Sequence, residues 1–260
     1  MALLEGFTTL EVSIDGGVGR LTLDQADVLN PLGATVLREI AQGVGALDEA
    51  GAVVTVVSGR GRAFSAGFDL REFAGSAGGA DGPATADLGR LMADAVEAAD
   101  AVTIAAIRGH CVGGGLVLAA ACDLRIASDT TRFAIPEVDL GIPLAWGGIP
   151  RLVREIGPAA TRELVMTCRP FDAVEAQRLG LVNRVVPDAE LGTEVEDLVA
   201  SLLTKAPSVL RTTKRQVHTA LEEMVSTDGA WADALLLGAA LADPDARAAA
   251  RRYLDARGRR

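Results

Sequence analysis

Two short apolar runs, VVTVVS (53–58) and VTIAAI (102–107), are rich in β-branched residues and show no alternation of apolar and polar positions. Runs of that kind predict strands covered on both faces, as in a sheet flanked by helices. EVSI (11–14) and VGRLTL (18–23) flank Asp15-Gly16-Gly17, and aliphatic segments around such a turn predict a hairpin. Next, PLGATVLREIAQGVGALDEA (31–50) has apolar residues at helical spacing; the expected helix opens after Asn30 as its cap, with Pro31 in the first turn. Each buried run is followed by a glycine-bearing loop, GRGRAFSAGFDL (59–70) and RGHCVGGG (108–115), and then by a helical stretch. A strand, loop and helix that recur after about 50 residues suggest a repeated supersecondary unit. Between them, AGSAGGADGPATAD (74–87) is too weakly patterned for regular structure and reads as a mobile loop near a binding site or a plain linker. From about Gly147 onward the pattern predicts helices, with Gly157-Pro158 ending one and opening another and Asp243-Pro244 capping the last, which ends near Gly258. AWADALLLGAALA (230–242) is apolar nearly all the way round and requires cover from its own domain or from another subunit.

Composition narrows the function. A chain of 260 residues, 49% hydrophobic, has ample material for a core. With 35 acids against 25 bases, its net charge of −10 argues against a surface built for nucleic-acid phosphates. An anionic ligand needs a local basic patch: Arg60 and Arg62, or the tail arginines Arg251, Arg252, Arg257, Arg259 and Arg260, which read first as a solvated helix end complementing its dipole. MALLEGFTTLEVSIDG has no basic segment followed by an apolar one, and no apolar window reaches the ~18 residues of a membrane span, so a cytoplasmic chain is expected. Cys111, Cys122 and Cys168 lack metal-ligand spacing and an even count, and are expected to be buried thiols.

Gly113, Gly114 and Gly115 stand at the mouth of an apolar run. A nucleoside-triphosphate loop fails for want of Gly-Lys-Ser/Thr, and a dinucleotide fingerprint fails because Leu118 stands where its third glycine belongs. A helix N-terminus with exposed amides remains. Such a terminus stabilises an oxyanion, although packing against a neighbour explains the glycines as well. If AFSAGFDL lies beside this loop in a parallel sheet, each loop offers one amide to a common oxyanion hole.

GRAFSAGFDL, GGGLVLAAACDLRIA, PEVDLGI and GGIPRL, in that order and spacing, resemble the enoyl-CoA hydratase/isomerase (crotonase) superfamily over essentially the whole chain. The resemblance implies an α/β fold, a spiral of ββα repeats over residues 1–200 carrying an acyl-CoA site. Residues 201–260 would form a helical region that builds a homotrimer, often doubled to a hexamer. It places the oxyanion amides on Ala66 and Gly114. Coenzyme A would lie along Arg62, Ala63, Phe64, Ala66, Gly67, Asp69 and Leu70, with adenine near Ala63 and Asp69 and a phosphate on Arg62. The acyl part would meet Gly113, Gly114, Val117 and Trp146, with core packing an equal alternative for Trp146. No cofactor beyond the coenzyme A of the substrate, and no metal, is implied.

In hydratases of the superfamily two glutamates hold the water that adds to the double bond. Glu137 matches the second; the first is replaced by Val117. Members that shift a double bond from position 3 to position 2 lack the first acid and keep the second, and this isomerisation is the expected reaction. Hydration, other reactions that use the same oxyanion hole, such as thioester hydrolysis, and non-catalytic acyl-CoA binding stand as alternatives. Ala145 occupies the place of a further acid in dienoyl-CoA isomerases. Asp139 reads as a turn cap, His110 and His218 as structural, and Asp123 as the partner of a backbone amide or a basic neighbour.

Overall fold

Gly16 and Gly17 both take positive φ, 54° and 82°, and so reverse the chain between strands β2 (Leu10–Asp15) and β3 (Val18–Leu23), paired antiparallel. The computed structural model describes residues 1–69 and 81–258. Strand β1 (Ala2–Leu4) lies outside β2. After β3 the chain makes the same move three times, a longer strand followed by a short one: β4 (Val54–Gly59) with β5 (Ala63–Ser65), β6 (Val102–Ile107) with β7 (His110–Val112), and β8 (Leu124–Ser128) with β9 (Arg132–Ala134). Longer strands collect in one sheet and short ones in another. The first has the order β1-β2-β3-β4-β6-β8-β11 and the second β10-β9-β7-β5, where β10 is Phe171–Asp172 and β11 is Arg184–Val186. From β3 to β11 every pairing of the larger sheet is parallel, as are β5 with β7 and β7 with β9. This is the expected ββα spiral.

Helices α1 (Ala34–Glu49), α2 (Asp81–Ala98) and α3 (Gly114–Ala121) follow β3, β5 and β7. The chain then forms α4 (Gly148–Thr167), α5 (Ala173–Leu179), α6 (Leu191–Leu203), α7 (Pro207–Met224), α8 (Asp233–Ala242) and α9 (Pro244–Gly258). VVTVVS and VTIAAI are covered on both faces, as their pattern predicts. Val57, Ala105 and Ile107 join the main core with Val36 and Ile40 of α1, while Val54, Val56 and Ile104 meet Leu191, Val195 and Val199 of α6. Cys111, Cys122 and Cys168 are free and buried. Among the described residues no helix is long and apolar enough to cross a membrane.

Four expectations change. Asn30 does not cap α1, whose N-cap is Gly33. Its buried side chain instead donates to the carbonyls of Arg60 (3.0 Å) and Ala63 (2.8 Å) and accepts from the Gln25 amide (2.9 Å), so it ties together the loops before β5. The expected loop 74–87 is helical from Asp81 onward; Leu70, residues 74–80, Arg259 and Arg260 lie outside the described residues. The region after Gly147 is not purely helical, because β10 and β11 extend the two sheets. The expected division at residue 200 falls inside α6, which packs on the larger sheet. The break at Gly157-Pro158 is present: Gly157 adopts φ 73°, ψ 166° inside α4.

Candidate active site

Because β5, β7 and β9 are parallel neighbours, their C-terminal ends lie along one edge of the smaller sheet. Ligands of parallel sheets bind at that end. The chain leaving β5 supplies Ala66, Gly67 and Phe68; the chain leaving β7 supplies the glycine run that opens α3; the chain leaving β9 supplies Pro136 and Glu137. These meet in a small cavity lined by Ala66, Gly67, Phe68, Val112, Gly113 and Glu137, with Leu140, Ile142 and Tyr253 completing it.

Close packing accounts for all three glycines. A Cβ at Gly113 would collide with Oε1 of Glu137, and one at Gly114 would collide with the indole of Trp146. One at Gly115 would lie 2.8 Å from Cβ of Ser65 on the neighbouring turn of the spiral. The glycine run is therefore where the Glu137 carboxyl, the first turn of α3 and the β5 loop pack together. Gly67 repeats the pattern from the other side: a Cβ there would sit 2.6 Å from the Val112 carbonyl and 3.5 Å from the Gly114 nitrogen. As the first residue of α3, Gly114 carries an N–H with no carbonyl inside the helix to accept it.

Glu137 is the acid of this cavity. The turn that holds it is fixed by the Leu140 amide on the Pro136 carbonyl (3.0 Å) and the Ile142 amide on the Glu137 carbonyl (2.9 Å). The residue is buried, and Oε2 has no hydrogen-bond partner among the described residues. Burial pushes its carboxyl up from the usual 4.5 to about 7. A base poised near neutrality matches proton transfer at physiological pH.

The other expected residues divide sharply. The Ala66 N–H donates to the Leu29 carbonyl at 2.9 Å, so this amide is committed to the fold and the expectation that it faces the thioester is corrected. Phe64 is fully buried in the core and Val117 is 0% exposed, packed where a Cβ at Gly148 would lie 2.8 Å away; neither is among the described residues that line the cavity. Trp146 is also core, 6% exposed, its ring edge-on to Phe68 at a centroid distance of 6.1 Å. Ala63 is buried, with its carbonyl accepting from Asn30, whereas the Asp69 amide lies 3.4 Å from the Leu32 carbonyl. Arg60 is paired with Glu11 (2.8 Å) and Asp24 (3.0 Å); Arg62 is exposed and has no ion pair among the described residues. Asp139 and His110 are exposed. Asp123 accepts from the Thr103 amide (2.7 Å) and pairs with Lys214 (2.8 Å), as expected of a structural acid.

Residues 13–259 match the family model described as enoyl-CoA hydratase/isomerase. The chain belongs to this family. A Mycobacterium tuberculosis protein named as a probable enoyl-CoA hydratase is 38% identical over 227 residues, 85% of each chain. The peroxisomal Δ(3,5)-Δ(2,4)-dienoyl-CoA isomerase of Arabidopsis thaliana is 32% identical over 254 residues, 90% of this chain and 91% of that one. A Thermobifida fusca relative solved in complex with CoA is 36% identical, covers 82% of this chain and 85% of that one, and superposes with a TM-score of 0.75. As a member of the enoyl-CoA hydratase/isomerase family the chain is an enzyme of acyl-CoA chemistry, and Glu137 with the glycine run is its candidate centre. Tyr253, Leu140 and Ile142 were not singled out from the sequence. For Tyr253 the available signal was its place at helical spacing from Ala246 and Ala250 on an alanine-rich face.

Proposed function

We propose that the enzyme shifts the double bond of a 3-enoyl-CoA to position 2, with Glu137 as the only proton carrier. The observation that carries this reading is the pairing of a buried Glu137, whose Oε2 has no hydrogen-bond partner among the described residues, with a fully buried Val117 at the position of the first of the two glutamates of the superfamily's hydratases. The Glu137 carboxylate takes a proton from C2, and the released electron pair moves toward the thioester oxygen as a dienolate. The same carboxyl then protonates C4, which leaves the double bond between C2 and C3. No group beyond the substrate's own coenzyme A is required.

Two main-chain amides suit the developing oxyanion. One is Gly114. The other is Phe68: Leu32 donates to the Gly67 carbonyl (2.8 Å) and accepts from Asp69 (3.4 Å), a parallel bridge that directs the intervening Phe68 N–H away from Leu32. Arg62 is the candidate phosphate contact for coenzyme A. A homotrimer or hexamer is part of the proposal, since Trp231, Leu235 and Leu236 around α8 are 64%, 65% and 56% exposed.

Hydration of a 2-enoyl-CoA is the second reading, favoured by the names of most relatives. It would leave one carboxyl to hold the water. A panel of 3-enoyl-, 2-enoyl- and saturated acyl-CoAs, followed by mass and by conjugated-thioester absorbance, separates the readings. The isomerase is expected to act on 3-enoyl-CoA much faster than it hydrates 2-enoyl-CoA, to lose about a thousandfold in kcat in Glu137→Gln, and to show an acidic limb near pH 7. Hydration without isomerisation, or an unimpaired Glu137→Gln enzyme, overturns the assignment. Binding of acyl-CoA with no turnover of any thioester would make the protein a binder.

A further inference from the structure

We propose that helix α9 forms the wall at the acyl end of the cavity and that Tyr253 sets the length of acyl chain the enzyme admits. The inference rests on the acyl-thioester reading of the Glu137 site and does not depend on which reaction follows. Ala246, Ala250, Tyr253 and Leu254 recur at helical spacing and form one face of α9. That face is docked on the loop after Glu137. A Cβ at Gly141 would collide with the Ala246 carbonyl, so loop and helix backbone touch with no side chain between them. The start of α9 is fixed as well: Asp243 Oδ1 accepts from the amides of Asp245 (2.8 Å) and Ala246 (2.9 Å).

Two hollows lie on this seam. The first holds Glu137 and Tyr253, the chain's only tyrosine. The second is an apolar groove formed by Leu241, Ala246, Ala250 and Leu254, with the exposed Arg247 and Arg251 beside it. Leu140 and Ile142 line both. A straight alkyl tail leaving the catalytic cavity on this side therefore meets Leu140, Ile142 and the Tyr253 ring before it reaches the groove. With tyrosine in place the enclosed space ends at the ring and favours short chains. Removing the ring opens the cavity toward a groove of small and aliphatic side chains, which is suited to methylenes, and each methylene held in such a pocket changes specificity about tenfold.

The test measures binding of saturated acyl-CoAs, butanoyl through dodecanoyl, by titration calorimetry, together with kcat/KM on the matching enoyl-CoAs. Tyr253→Ala is expected to raise the dodecanoyl-to-butanoyl affinity ratio by about tenfold or more. Tyr253→Phe keeps the ring and should keep the wild-type profile. Ile142→Ala, on the loop side of the seam, should shift the profile in the same direction as Tyr253→Ala, and it reads the proposal even where that variant fails to fold. An unchanged profile in both alanine variants, a Tyr253→Phe profile shifted as far as that of alanine, or a wild type that already prefers dodecanoyl overturns the wall. If no acyl-CoA binds, the acyl-thioester reading falls with it; if all bind with an unaltered length profile, the wall alone falls.

Discussion

The cost of burying Glu137 has a measurable sign. Its carboxyl is raised from 4.5 to about 7, so the folded protein holds the proton more tightly than the unfolded chain does. Stability is then fully present below about pH 4.5 and declines as pH rises through about 7. Glu137→Gln removes the titration. The variant is expected to match the wild type in acid and to exceed it by about 3 kcal/mol above neutrality, measured by urea denaturation across pH. A constant difference at every pH would show that Glu137 does not titrate on unfolding. At this scale the sequence was legible where side chains carry the chemistry, as with Glu137 and the glycine run. It was not legible where the backbone carries it. Gly67 takes φ 88°, and that turn, together with the Ala66 bond to Leu29, decides which amide faces the cavity. Residue identities do not record it.

Among the elements, α4 is anchored to the site through Arg151. This side chain is 1% exposed and donates to Asp94 (2.9 Å) and Glu97 (2.6 Å) of α2 and to the Trp146 carbonyl (3.1 Å). Trp146 sits in the left-handed region at φ 64°, with its indole pressed against Gly114 on one side and Gly89 on the other. The Gly147 amide donates to Asp233 (2.8 Å), which ties the start of α8 to the same turn. Arg151→Ala leaves two carboxylates short of a partner and frees the Trp146 turn; a loss of about 3 kcal/mol is expected in denaturant unfolding, with a lower kcat from a displaced Gly114. A variant of full stability would show that Asp94 is satisfied by Arg90, Glu97 by Arg154, and both by solvent. Any side chain at position 114 would likewise unseat Trp146. The hairpin, β4, β6 and α1 were readable because pattern and turn chemistry agree. β10 and β11, two and three residues long, have no pattern of their own and exist only because β9 and β8 present edges to pair with.

For the molecule as a whole, the spiral follows from the resemblance and from the two alternating sheets, whereas the docking of α9 on the Glu137 loop depends on a contact between Gly141 and Ala246 that no local pattern announces. The exposed Trp231, Leu235 and Leu236 predict self-association. Sedimentation at micromolar concentration is expected to show a trimer or its double, and Leu235→Glu with Leu236→Glu to shift it toward monomer. A wild-type monomer would remove oligomerisation from the proposal.

The cavity takes one wall from each of three successive turns of the spiral and its last wall from α9. Its parts lie far apart along the chain, so forming it requires closure of several long loops, the slow step in chains dominated by non-local contacts. During refolding, burial of the Trp146 indole against Gly89 and Gly114 needs α2, α3, α4 and the start of α8, whereas ligand binding must also wait for α9. Acyl-CoA binding should accordingly return later than the Trp146 fluorescence change in stopped-flow refolding, and simultaneous recovery would show that the helix docks before the core is complete.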